Sequence, residues 1–161
     1  MVVETDRPLR GWLSEERPWL ERIDFAVLKT LMMLAAVDGE VSEAELALFR
    51  RLAGNFQDNV GGMTKEALWK AALHSAGYIV LQSRLMTSDE LVSEFVREAE
   101  GDFVDEVALG SDEARERAFR NLEAMARADG DFSEVENACL SALSRRVREA
   151  QEDARRIRFP L

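Results

Sequence analysis

Apolar residues recur along this chain at the spacing of a helix. One such set lies in the N-terminal third and another in the middle of the chain: Trp19, Ile23, Val27, Leu31 and Leu34, then Leu91, Val92, Phe95, Val96 and Ala99. Side chains three and four residues apart share one face of a helix, so each set predicts a buried helical face. No segment shows the sustained alternation that is typical of a half-buried strand. The pattern predicts an all-α fold.

Capping signals place the helix boundaries. Thr87 with Glu90 three residues on forms a capping box, and Ser111 precedes two acidic residues. Together with the periodicity they predict about seven helices, in a compact bundle, near 14–37, 42–53, 64–86, 88–100, 102–109, 111–128 and 133–157. The polar, glycine-rich segment 54–62 is predicted to be a surface loop.

One motif occurs twice, as VDGEVSEAE at 37–45 and as ADGDFSEVE at 128–136. Gly39 and Gly130 follow helical runs, where a residue with positive φ ends a helix at low cost. The expected N-caps of the next helices are Ser42 and Ser133, and the capping boxes are completed by Glu45 and Glu136. The repeated unit is therefore a helical hairpin.

The repeat predicts the organisation of the whole chain. Its 161 residues suffice for one domain with a hydrophobic core. Within that single domain, 1–161, we expect repeat units at about 18–53 and 111–157, joined by connecting helices at 64–109. Each hairpin has an apolar face and needs a partner for it, so we expect the two to pack together about an approximate twofold axis.

Both corners are crowded with carboxylates. Asp38 and Asp129 end helices, where the macrodipole makes a negative charge unfavourable by about 0.3–1 kcal/mol. A divalent cation would offset that cost, and carboxylate oxygens are the ligands that Ca²⁺ and Mg²⁺ select. The candidate metal ligands are Asp38, Glu40, Glu45, Asp129, Asp131 and Glu136. Leu34 and Ala36 stand where a complete calcium loop has oxygen ligands, so the corners would be half-sites; helix capping alone is the alternative.

The formal net charge of −10 makes nucleic acid an unfavourable ligand. Cys139 is the only cysteine, which excludes an intrachain disulfide and a cysteine-cluster metal site. No signal peptide and no transmembrane segment are evident, so we expect a cytoplasmic protein. His74 and Cys139 both fall in helical stretches without a partnered base, and we expect neither an enzyme nor an organic cofactor.

Arginines concentrate at the C-terminal end of the chain: Arg145, Arg146, Arg148, Arg155, Arg156 and Arg158. They can pair with acidic residues of the same helix, Glu149, Glu152 and Asp153, on a solvated surface. Alternatively, the helix docks an acidic protein partner or, more weakly, an anionic membrane surface. Both interpretations stay open at this point.

The two stretches AAVDGEVSEAELALFRRLA at 35–53 and AMARADGDFSEVENACLSAL at 124–143 resemble the TerB-like domain of tellurite resistance proteins. The resemblance implies a compact helical fold, a role in tellurite or other chemical stress, suspected metal binding and no known catalysis. Two functions therefore remain: a metal-responsive TerB-like stress module, or a helical protein-interaction scaffold whose acidic corners are only helix caps.

Overall fold

The structure is a computed structural model that describes residues 22–54, 64–128, 130 and 132–157. This part of the chain is helical and contains no strand, which confirms the all-α prediction. The α-helices are α1 (Arg22–Ala36), α2 (Glu43–Ala53), α3 (Lys65–Leu85), α4 (Ser88–Ala99), α5 (Asp105–Leu109), α6 (Asp112–Ala126) and α7 (Glu134–Ile157). The predicted loop at 54–62 lies almost wholly outside the described residues.

A π-helical segment, Glu100–Val104, joins α4 to α5 without a break. The sequence predicted two separate helices here, but the described part of the chain forms six uninterrupted helical segments rather than about seven. The wider π turn allows Phe103 and Val104 both to be buried, while Glu100 and Asp102 remain partly exposed. Glu100 and Asp102 thus lie on the outer face of a continuous helix.

Helix α1 lies at the centre of the core. Its side chains from Ala26 to Ala36 are buried except that of Lys29, and α1 packs against α3, α6 and α2. A helix that is apolar on all sides is stable only when other helices surround it, and here they do. One contiguous cluster of buried residues takes side chains from every helix.

Helix α7 packs against α4 and α5 through a single buried stripe. The stripe follows the helical period and consists of Glu136, Cys139, Leu143, Val147 and Gln151. The opposite face, with most of the arginines, is exposed or half-buried. Within the described ranges no helix is both long enough and apolar enough to cross a membrane.

Candidate functional site

The first corner, between α1 and α2, is built by local hydrogen bonds. Gly39 has a φ of 102°, and its N–H donates to the carbonyl of Ala36 at 3.0 Å. The Ser42 Oγ accepts from the N–H of Glu45 at 3.1 Å, and Glu45 Oε1 accepts from the N–H of Ser42 at 2.8 Å. Both halves of a capping box are therefore formed.

The second corner, between α6 and α7, repeats this geometry. Gly130 has a φ of 84°, and its N–H donates to the carbonyl of Arg127 at 3.0 Å. The Ser133 Oγ accepts from the N–H of Glu136 at 3.2 Å, and Glu136 Oε1 accepts from the N–H of Ser133 at 2.9 Å. Glu45 and Glu136 are each only 1% exposed, so both capping boxes are completed by buried glutamates.

The equivalence of α1 and α6 extends to a buried polar position that the sequence motif does not reveal. Thr30 is fully buried and donates from Oγ1 to the carbonyl of Ala26 at 2.8 Å. Asn121 is fully buried and donates from Nδ2 to the carbonyl of Arg117 at 2.7 Å. Each side chain bonds one turn back along its own helix, and the two helices pack against each other.

The carboxylates proposed as metal ligands do not form a metal-binding group in the described residues. Asp38 and Glu40 are exposed, and the Glu40 N–H donates to Asp38 Oδ1 at 3.4 Å, a weak local bond that gives this aspartate a role in the turn. The described residues contain no cluster of three or more His, Cys, Asp or Glu side chains able to hold a metal ion. Asp129 and Asp131 lie outside the described residues, so the paired-corner site stays a prediction.

The C-terminal arginines divide into three groups. Two of them form ion pairs: Arg146 Nε lies 3.0 Å from Glu100 Oε2 in a two-pronged contact with the π segment, and Arg156 lies 3.9 Å from Asp153. Three others, Arg145, Arg148 and Arg155, form no ion pair with any described residue. Arg158 lies outside the described residues. Among the described residues, Glu149 and Glu152 form no close ion pair with these arginines, although the pKa of Arg146 is raised by its contact with Glu100 and, to a smaller extent, by the charge of Glu149.

Arg145 and Arg148 line a groove between α6 and α7, with a volume of about 680 Å³. We define this α6–α7 groove by two walls and a floor. The α6 wall carries Glu116, Arg120 and Glu123, and the α7 wall carries Asn137, Ser141, Ser144, Arg145 and Arg148. A smaller hollow of about 280 Å³ continues the groove toward Arg115.

The floor of the α6–α7 groove is apolar and only half-buried. It consists of Phe119, Phe132 and Leu140, which pack against the core without being covered by it. The Phe119 ring meets the fully buried Phe103 edge-on at 5.7 Å, and the guanidinium of Arg127 lies 4.7 Å from the centre of the Phe132 ring. These contacts orient both rings on the floor of the groove.

Two other groups that carry titratable chemistry lie away from the groove. Burial and the nearby charge of Glu136 raise the pKa of the Cys139 thiol to about 12. On the outer side of α3 and α4, the Tyr78 hydroxyl donates to Glu94 Oε1 at 2.6 Å, and Arg97 Nε donates to Glu94 Oε2 at 3.0 Å. His74 is exposed on α3.

Sequence reasoning missed Arg120, Phe119 and the groove between them and α7. The only sequence signal was the arginine cluster of α7, because neither Arg120 nor Phe119 belongs to a motif. Comparisons with protein-family models, with curated proteins and with solved structures found no match to this chain. The TerB-like resemblance therefore rests on the residues of the two corners.

Proposed function

We propose that this chain is a non-enzymatic protein-interaction module that docks a helical segment of a partner in the α6–α7 groove. The observation that carries this proposal is the half-exposed apolar floor of Phe119, Phe132 and Leu140 between two polar walls. An apolar strip with a polar rim is the usual surface that receives the apolar face of an amphipathic helix.

The dimensions of the groove support a helical ligand. Its α7 wall extends from Asn137 to Arg148, and this stretch of helix is about 16 Å long. About three helical turns of a partner fit along it, which brings three or four apolar side chains onto the floor. From the TerB-like resemblance we further propose that the module acts in tellurite or chemical stress in the cytoplasm.

Selection from an unbiased library of helical peptides, displayed and panned on the full chain, tests the docking function. Ser141→Trp fills the groove from an exposed position of its wall, and Ala138→Trp adds the same bulk at an exposed position of α7 outside the groove. We expect selected peptides to bind the wild type and Ala138→Trp equally and to lose binding to Ser141→Trp. Peptides that bind all three proteins alike, or no selected peptide at all, would contradict the proposal.

A further inference from the structure

We propose that the partner helix is acidic along one flank, with two carboxylates spaced i, i+3 or i, i+4 that face Arg145 and Arg148. This inference rests on the docking function proposed above and specifies the chemistry of the partner. The two walls of the groove carry unequal charges, and this difference indicates the chemistry of the partner.

Every charged side chain of the α7 wall within the groove is cationic. Its side chains there are Asn137, Ser141, Ser144, Arg145 and Arg148, with no carboxylate among them. This wall is a local exception in a protein whose formal net charge is −10. A negatively charged ligand is therefore attracted to this wall while most of the molecule repels it.

The arginines of the groove are not used within the fold. Arg120, Arg145 and Arg148 form no ion pair with any described residue. Their neighbour Arg146 differs, because it contacts Glu100 with two nitrogens and holds α7 to the π segment. Arg115, just beyond the groove, donates to Gln151 Oε1 at 2.6 Å. Arg120, Arg145 and Arg148, on the rim of the apolar floor, are thus available to a ligand.

Spacing determines the arrangement of the partner's acids. Arg145 and Arg148 are three residues apart on α7, and side chains at that separation are neighbours about 5–6 Å apart on a helix surface. Two carboxylates one turn apart on a facing helix match that separation. Guanidinium groups bind carboxylates in planar, two-pronged geometry, so each arginine can engage one acid of the partner.

The α6 wall discriminates against a uniformly anionic ligand. Glu116 and Glu123 lie on this wall, on either side of Arg120. A phosphate backbone or an anionic lipid surface would bring negative charge to both walls and be repelled by one of them. A helix that is acidic on the α7 side only avoids this repulsion, which favours a protein segment over nucleic acid or membrane.

Fluorescence anisotropy with three designed peptides tests the inference. The peptides are about 16 residues long, share one leucine face, and carry glutamate, glutamine or lysine pairs on one flank. We expect the glutamate peptide to bind at least about tenfold more tightly than the glutamine peptide, and the lysine peptide to bind weakest. The double variant Arg145→Glu, Arg148→Glu should reverse this order. The control is Arg155→Glu, which makes the same charge change at one site of the same helix, outside the groove.

The outcomes separate the inference from the proposed function. Equal binding of the three peptides, all lost in Ser141→Trp, would overturn the acidic partner and keep the docking groove. Binding of none of them would overturn the inference, and the library selection would still decide the docking function. Sedimentation of the chain alone that shows a dimer abolished by Ser141→Trp would identify a second copy, not an acidic partner, as the occupant.

Discussion

Cys139 lies in the buried stripe of α7, with no exposed surface. Burial and, to a smaller extent, the charge of Glu136 raise its pKa to about 12, so the thiolate is scarce at neutral pH. Because the thiolate is the reactive form, we expect the native protein to react with iodoacetamide at least about a thousandfold more slowly than a free thiol. Mass spectrometry should show labelling only after unfolding; rapid labelling of folded protein would contradict a buried thiol and mark an accessible redox site.

Glu94 is the centre of a small polar cluster on the surface of α3 and α4. Hydrogen bonds from Arg97 first, and from Tyr78 next, hold the pKa of the Glu94 carboxyl below its ordinary value. A carboxyl whose pKa is lowered by folding stabilises the fold above its ordinary pKa, and that stability is lost as the pH falls through the lowered value.

We therefore expect Glu94→Gln to destabilise the protein at about pH 7, and we expect a smaller gap to the wild type at about pH 3, which lies below the ordinary pKa of a glutamate carboxyl. Urea unfolding at both pH values measures the gap. The variant Glu149→Gln removes one charge from an exposed position on α7 and controls for the change in net charge. A gap that is independent of pH would show that Glu94 contributes through packing and not through its charge.

The two capping boxes should contribute to stability in the same way, since both are formed by a serine and a glutamate. Ser42→Ala and Ser133→Ala each remove an acceptor for a helix N–H, and each should cost about 0.5–2 kcal/mol of stability. Ser88→Ala, at an exposed first position of α4 that caps nothing, should stay within about 0.5 kcal/mol of the wild type. Thermal and urea unfolding provide the values; an unaffected Ser133→Ala alone would show that only the first corner depends on its cap.

A second prediction concerns the ion pair that joins α1 to the π segment. Lys29 of α1, with a side chain only 16% exposed, forms an ion pair with Asp102. Asp102→Ala leaves this half-enclosed ammonium without its acceptor, and we expect a loss of about 1.5–3 kcal/mol. Glu106→Ala breaks a pair with Arg22, which is 84% exposed, and should cost less than about 1 kcal/mol. Equal losses in urea unfolding would mean that the Lys29 pair is as weak as a surface contact.

Periodicity and caps predicted most of these elements because they are local properties of the chain. Gly39, Ser42 and Glu45 lie within seven consecutive residues, so their roles are evident from spacing. The π segment was not predicted, since its polar residues resemble a helix boundary and only the burial of Phe103 and Val104 shows a continuous helix. The correspondence between Thr30 and Asn121 was also not predicted, because two different residue types make the same side-chain hydrogen bond one turn back along the helix.

The α6–α7 groove could not be predicted from the sequence, because it depends on which helix faces meet in the folded protein. Arg145, Arg146 and Arg148 look alike in the sequence, yet Arg146 contacts Glu100 on the π segment while the other two border the groove. Their separation comes from the rotation of α7 against α4 and α5, a tertiary property. Phe119 packs against the core, and its outer side forms part of the groove floor because no described helix covers it.

The remaining prediction for the whole molecule concerns divalent cations. In metal-free protein, Asp38→Asn should be neutral or mildly stabilising, because asparagine keeps the acceptor for the Glu40 N–H and removes a negative charge after the end of α1. If the corners bind a cation, millimolar calcium or magnesium at about 100 times its dissociation constant should add about 2.7 kcal/mol to the stability of the wild type.

Thermal melts of the wild type and of the double variant Asp38→Asn, Asp129→Asn, with and without each ion, separate the two roles of the repeat. A stabilisation that the double variant lacks would establish a cation site that involves residues beyond those described. Glu45 and Glu136 each already use one carboxylate oxygen in a capping box, so fewer oxygens remain for an ion and the affinity should be modest. A wild type whose melting temperature does not respond would leave both corners as helix caps, and the acidic motif would then serve folding alone.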